Sequence, residues 1–282
     1  MTEPPHKTRF LAFAEAFDAV FFDQYGVLHD GRRVYAGALE ALGALKTRGV
    51  PVAVLSNSGK SGEANARRME SIGVARDLYD RFVTSGDVAL SLLGGEASPI
   101  AVTPGARCLV ISSSGDGTLA DKLGLQKTDD PAEADLVVIG GSQADRIPLD
   151  AYARRLRPAV ERGAPCICAN PDKWMLTDHG LRAGAGAIAA QYEQMGGSVT
   201  WIGKPYRVIY EYAARLLGCV APSRILCVGD SVEHDVVGAR RFGAAVALLR
   251  TGIIEGLDEA SLAATFVEHA VVPDLVLRGL EV

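Results

Sequence analysis

The stretch FFDQYGVLHDG, residues 21–31, sets an acid at the end of an apolar run and follows it with a polar turn. Val20, Phe21 and Phe22 precede Asp23, so DAVFFD (18–23) is expected as a strand buried on both faces, as strands of parallel sheets are. Asp23 then projects from the carboxyl end of that strand, the edge of an open α/β sheet where ligands bind. The arrangement recurs twice. VLSNSGKS (54–61) continues the apolar run PVAVL (51–55), and ILCVGDSVEHD (225–235) ends its run in Asp230 and carries Asp235 five residues on. With Lys204 in WIGKPY (201–206), four distant segments are expected to build one polar site.

Working outward, apolar strand-like runs alternate with segments of helical spacing. A helical lead-in precedes residue 18, a helix spans about Gly37 to Gly49, ANARRMESIG (64–73) forms another, and RFVTSG (81–86) gives a third strand. This is the βαβα order of a doubly wound, Rossmann-like parallel sheet. The pattern then restarts. GARCLVIS (105–112), a short helix around Gly117 to Leu123, ADLVVIGG (134–141), a helix from Leu149 to Arg162 and PCICANPD (165–172) make a second α/β set without an acid pair of its own. After WIGKPY the first pattern resumes, with the strand RILCVGD (224–230), a helix in DVVGARRFG (235–243), AAVALL (244–249) and an edge strand in DLVLRGL (274–280). The expected organisation is a core of residues 1–86 and 193–282 with an inserted α/β domain at 87–192.

Composition bounds the function. The chain has 282 residues and a net charge of −5 without a basic run, which argues against a nucleic-acid footprint. At 48% hydrophobic and 6% aromatic residues it matches an Ala-, Val- and Leu-rich α/β enzyme. No apolar run approaches the ~20 residues of a membrane span, and MTEPPHKTRF (1–10) lacks an apolar leader core, so a cytoplasmic protein is expected. Cys108, Cys166, Cys168, Cys219 and Cys227 mostly lie in apolar runs, as small buried hydrophobes do, and C-I-C is not a zinc spacing.

The order and spacing of the four segments resemble the haloacid dehalogenase superfamily, over most of the chain from about Asp18 to Leu277. The inserted α/β domain, with ADLVVIGG, ICANPD and LRAGAGAIAA, is similar to the cap of the large-cap subclass (IIA) that includes nitrophenyl-phosphate and nucleotide phosphatases. The resemblance implies a phosphohydrolase acting on a small phosphorylated metabolite, with Asp23 as nucleophile forming an aspartyl-phosphate and Lys204 steadying the phosphoryl charge. It implies phosphate contacts from Ser56, Asn57 and Ser58. It also implies Mg²⁺ held by Asp23, Asp230 and the backbone carbonyl of Tyr25, with Asp235 acting from behind them or through water. Like charges in a shared site raise one another's pKa, and a divalent cation removes that conflict. Asn170, Asp172 and Lys173, with Trp174, match the cap segment that faces substrate in relatives. A homodimer stays open.

Each residue also has a plainer reading. Asp23 or Asp235 can cap a turn or helix, SNSGKS can be a flexible helix cap, and N-P-D is a good turn sequence. Lys60 is not a P-loop lysine, because the G-x-x-x-x-G-K-[ST] spacing is missing. His6, His29, His179, His234 and His269 show no ligand spacing; His29 and His234 flank the motifs and stay in view as proton carriers.

One position departs from the pattern. Phosphatases of the superfamily place a second Asp two residues after the nucleophile as general acid and base, and this chain has Tyr25. D-x-Y-G is similar to the 2-haloacid dehalogenases, which attack carbon without metal, so dehalogenation is the first alternative. Asp230 and the large cap both argue against it, since dehalogenases lack that acid and carry small helical caps. A second alternative is a phospholigand-binding protein with little turnover.

Overall fold

A computed structural model of the chain describes residues 9–95, 98–113, 115, 117–177, 180–218 and 221–280. His6, His179 and Cys219 lie outside the described residues. In chain order the strands are β1 (Ala19–Asp23), β2 (Val52–Ser56), β3 (Arg81–Thr84), β4 (Arg107–Ile111), β5 (Gln126–Thr128), β6 (Leu136–Ile139) and β7 (Cys166–Cys168). They continue with β8 (Trp174–Thr177), β9 (Gly180–Ala183), β10 (Val199–Trp201), β11 (Ile225–Gly229), β12 (Ala245–Leu249) and β13 (Leu275–Leu277). The helices are α1 (Arg9–Ala14), α2 (Ala38–Thr47), α3 (Gly62–Ile72), α4 (Ser85–Leu93) and α5 (Thr118–Lys122), then α6 (Leu149–Glu161), α7 (Ala185–Gln194), α8 (Arg207–Leu216), α9 (Val237–Phe242) and α10 (Glu259–His269).

The chain forms two compact units. The first comprises the described parts of Met1–Ser56, Glu63–Val83 and Lys204–Val282. Its sheet has the order β13-β12-β11-β1-β2-β3, with β1 pairing in parallel to both β2 and β11. From β1 the chain winds outward through β2 and β3, and later returns to the other side of β1 with β11. The direction of winding therefore reverses between β1 and β11, and the loops after these two strands flank the crevice that such a reversal opens. Asp23 ends one of them and Asp230 follows the other.

Period-two alternation explains the core. Val20 and Phe22 share one face with Val52, Val54, Leu226 and Val228, against Phe10 of α1 and Ala38, Ala41, Leu42 and Leu45 of α2. Those four α2 residues recur at helical spacing and give the helix its buried stripe. Fully burying a side chain such as Phe22 or Leu42 contributes ~1.5–3 kcal/mol. The helix ends where Gly49 takes φ 68°, a left-handed conformation that stops helices without a Cβ penalty.

The second unit comprises Asn57–Gly62 and the described parts of Thr84–Gly203. Its sheet runs β10-β7-β6-β4-β5, with parallel pairing of β4 to β5 and β6 and of β7 to β6 and β10. Leu109, Ile111, Val137 and Ile139 pack with Tyr152 and Leu156 of α6 and Ile188 and Tyr192 of α7. The Tyr192 hydroxyl donates to the Ala164 carbonyl at 2.7 Å, which lets a phenol be buried here. The antiparallel hairpin β8–β9 carries Trp174 and Leu181 exposed; no strand was expected from the sequence there. Cys108, Cys166, Cys168 and Cys227 are buried free thiols, and burial pushes Cys108 and Cys168 up to about 12. Among the described residues no helix is long and apolar enough to cross a membrane.

Candidate active site

The carboxyl ends of β1 and β11 bring Asp23, Asp230 and Asp235 together, with one ligand oxygen of each within 4.8 Å of the others. Lys204, 3% exposed, lies between two of them, its Nζ 2.6 Å from Asp23 Oδ1 and 2.7 Å from Asp235 Oδ1. Ser56 ends β2 one residue beyond Leu55, the register partner of Asp23, and is buried. The first unit thus gathers Asp23, Ser56, Lys204, Asp230 and Asp235 at one sheet edge.

Each carboxylate is held by named contacts. Asp23 Oδ1 accepts the Gln24 amide at 2.6 Å, and Asp230 Oδ2 accepts the Ile253 amide at 2.7 Å. Asp235 Oδ2 accepts the Ser231 amide at 3.1 Å. Asp235 is not a helix N-cap: Ser231 takes that place, its hydroxyl accepting from His234 N at 3.1 Å, and Asp235 lies inside a π-turn, Val232–Val236. Two glycines admit the Asp230 carboxyl, since a Cβ on Gly26 would come within 2.0 Å of Asp230 Oδ2 and one on Gly252 within 1.9 Å.

Electrostatics favour a cation. Burial first, then the Lys204 attraction opposing it and Asp235 adding to it, leave Asp23 raised to about 6. Asp230 is pushed well above the usual carboxylate range by burial and by Asp23 and Asp235. Burial opposes the charge on Lys204, but Asp23 and Asp235 together outweigh it and hold the ammonium charged. With all three acids ionised against the one Lys204 ammonium, two negative charges would stand without compensation; the raised pKa values reflect that conflict, and a divalent cation would relieve it. An all-oxygen set of this kind suits Mg²⁺.

Around Tyr25 the arrangement is aromatic and cationic. Tyr25 is 41% exposed, meets the His29 ring edge-on at 4.5 Å between centroids, and has the Arg68 guanidinium 5.8 Å over its ring. His29 is fully buried, and burial, helped by Arg68, lowers its pKa to about 4, so the ring is neutral near pH 7. Gly31 N–H donates to His29 Nδ1 at 2.9 Å, and the Gln24 side-chain amide lies 3.1 Å from Nε2. His29 is therefore held as a structural acceptor. His234 contributes backbone: its N–H goes to Ser231 and its carbonyl accepts from Tyr210.

The remaining candidates belong to the second unit. Asn57 Nδ2 donates to Asp172 Oδ1 at 2.7 Å, which commits that side chain. Ser58 accepts Gly86 N–H on its carbonyl and Lys60 N–H on its hydroxyl, as a helix-entry turn does. Asn170 Oδ1 accepts Asp172 N–H at 3.1 Å, so N-P-D is indeed a turn, one that presents Asp172 to Asn57; Lys173 is exposed.

Sequence reading missed the loop after β12. Thr251 Oγ1 donates to the Gly26 carbonyl, and Gly252 and Ile253 form part of the Asp230 seat. Applying the carboxyl-edge rule to AAVALL as to the other strands would have singled out the RTGII that follows it.

Two family models match the chain, one described as haloacid dehalogenase-like hydrolase over residues 20–126 and one as HAD-hydrolase-like over 201–277. A solved haloacid dehalogenase-like hydrolase from Brucella suis 1330 is 32% identical, with 98% of this chain and 100% of that one covered and a TM-score of 0.81. The p-nitrophenyl phosphatase from Archaeoglobus fulgidus is 25% identical, covering 94% and 97% with a TM-score of 0.73. Glycerol phosphate phosphatase from Mycobacterium tuberculosis, solved in complex with magnesium, is 26% identical over 95% of this chain and 77% of that one, with a TM-score of 0.73. With two family models that together span more than half of the chain and full-length likeness at 32% identity, the chain belongs to the haloacid dehalogenase-like hydrolases, in the large-cap subclass (IIA).

Proposed function

We propose that the chain is a Mg²⁺-dependent phosphohydrolase of small phosphorylated metabolites with Asp23 as its nucleophile. The observation that carries this reading is the Asp23 carboxylate held 2.6 Å from a buried ammonium inside a cluster of three acids. A carboxylate so placed attacks phosphorus, the bond from phosphorus to the leaving oxygen breaks, and that oxygen departs with a proton or as a stabilised anion. Water then attacks phosphorus of the aspartyl-phosphate, releasing inorganic phosphate and restoring Asp23.

Lys204 neutralises charge on the transferring oxygens, and Asp235 keeps its ammonium aimed. Ser56, with the amides of Asn57 and Ser58, supplies hydrogen bonds to the phosphoryl group. Asp23, Asp230 and the Tyr25 carbonyl would hold Mg²⁺, with Asp235 behind them. When bound, the ion supplies positive charge that balances the acids and the phosphoryl oxygens. Asn170, Asp172 and Lys173 are proposed substrate contacts of a cap formed by residues 87–192. Relatives named for p-nitrophenyl phosphate and glycerol phosphate support the substrate class.

The test is a panel of aryl, acyl, sugar and alkyl phosphates with Mg²⁺ and with EDTA, alongside a 2-haloacid. Metal-dependent phosphate release is expected. Halide release in EDTA would instead assign the chain to dehalogenation, and tight binding without turnover would make it a phospholigand-binding protein.

A further inference from the structure

The π-turn that carries Asp235 is held from outside. Asp235 N and Val236 N both donate to the Ser231 carbonyl, at 3.0 and 3.1 Å, the widened spacing of a single π-turn. Such turns are rare in helices and persist where the surrounding structure stabilises them. Here the support comes from α8, the helix that follows Lys204. Tyr210 lies in its first turns, 1% exposed, and its hydroxyl donates to the His234 carbonyl at 3.2 Å. Its ring stacks on Phe242 of α9 at 5.4 Å and 22°.

The seat is shaped for a phenol. A Cβ on Gly238 would lie 2.2 Å from Tyr210 Oη and 2.8 Å from Cζ, so residue 238 has to be glycine while the hydroxyl occupies this place. On the other side of the turn, Asp235 is packed closely against Gly229, where a Cβ would come within 2.1 Å of the carboxyl carbon. The hydroxyl thus fixes the carbonyl one residue before Asp235, and Asp235 in turn holds Lys204.

We propose that the Tyr210 hydroxyl is a positioning group of the acidic cluster: by anchoring the π-turn at His234 it sets Asp235 and thereby the affinity of the site for Mg²⁺. This rests on the Mg²⁺-dependent reading above. A buried hydroxyl that orients a group behind a metal site acts on affinity more than on the chemical step.

Calorimetric titration of Mg²⁺ into wild type, Tyr210→Phe and Phe242→Leu, paired with thermal unfolding in EDTA, tests it. Tyr210→Phe removes one oxygen and should weaken Mg²⁺ about three- to tenfold. Phe242→Leu removes the stacking partner and keeps the hydroxyl, so it should lower the unfolding temperature while leaving Mg²⁺ affinity unchanged. Gly238→Ala drives a methyl into the same hydroxyl and should weaken Mg²⁺ in the same direction as Tyr210→Phe. Wild-type affinity in both Tyr210→Phe and Gly238→Ala would overturn the positioning role and leave the metal site standing. Equal weakening by Phe242→Leu would reduce Tyr210 to packing, and a wild type that takes up no Mg²⁺ would overturn both readings.

Discussion

Tyr25 stands two residues beyond Asp23 with its ring between the His29 edge and the Arg68 guanidinium, where the proposed chemistry would use a carboxyl. A departing aryl or acyl oxygen is a weak base and needs little protonation, whereas an alkoxide needs much. Aryl phosphates should therefore be cleaved far faster than sugar or alkyl phosphates. Tyr25→Asp should raise alkyl-phosphate turnover at least about tenfold more than aryl-phosphate turnover, a part of the ~10²–10⁴ that general acid catalysis supplies. Steady-state kinetics on one aryl and one alkyl substrate check this; equal changes in both would show that another group already acts as the acid. The neutral, buried His29 is poorly suited to that part. At this scale the sequence was most legible where a polar residue ends an apolar run, as with Asp23, Ser56 and Asp230. Gln24, Gly252 and Ile253, and the acceptor role of His29, which the sequence kept in view as a proton carrier, were illegible because they arise from contacts that no local pattern encodes, the Ile253 amide meeting an acid from a different strand.

Elements differ in how strongly their own residues specify them. β1, β2 and β11 are continuous apolar runs buried along nearly their whole length, and α2 shows its stripe plainly. The β8–β9 hairpin and the π-turn at Val232–Val236 escaped because one is a two-stranded element with exposed apolar residues and the other a local widening held by Tyr210. In the second unit, Asp135 joins three elements: its carboxylate accepts Arg107 N–H at the start of β4, at 2.9 Å, and the Arg162 guanidinium just after α6, also at 2.9 Å. The Arg107 amide first, then the Arg162 and Arg107 side chains, hold it down at about 2. A carboxyl lowered on folding stabilises fully above its unfolded value, 3.8, and loses that contribution as pH falls through its folded value. Asp135→Asn should therefore lower the unfolding temperature at neutral pH and give a shallower decline in acid over about pH 4 to 2. Parallel melting-temperature profiles for the two proteins would remove Asp135 from acid sensitivity.

For the whole molecule, the interruption of one α/β alternation by another was readable along the chain, because each set repeats strand and helix signals and only the outer set ends its strands in catalytic-type acids. Where the units divide was harder to read, since short pieces such as Asn57–Gly62 join the second unit through contacts distant in sequence. Each unit has its own sheet and its own apolar core. Replacing residues 84–203 by a short Gly-Ser linker should leave a core that unfolds cooperatively by circular dichroism, while aggregation of every linker length tried would show that the first unit cannot fold alone. The most direct measurement concerns Asp23. Wild type mixed with an aryl phosphate and Mg²⁺, quenched in acid during turnover and digested, should yield the peptide spanning Asp23 with the mass of one added phosphoryl group. That species should be absent in EDTA and in Asp23→Asn. A phosphoryl group found on another residue, or phosphate release undiminished in Asp23→Asn, would contradict the assignment of Asp23 as the nucleophile.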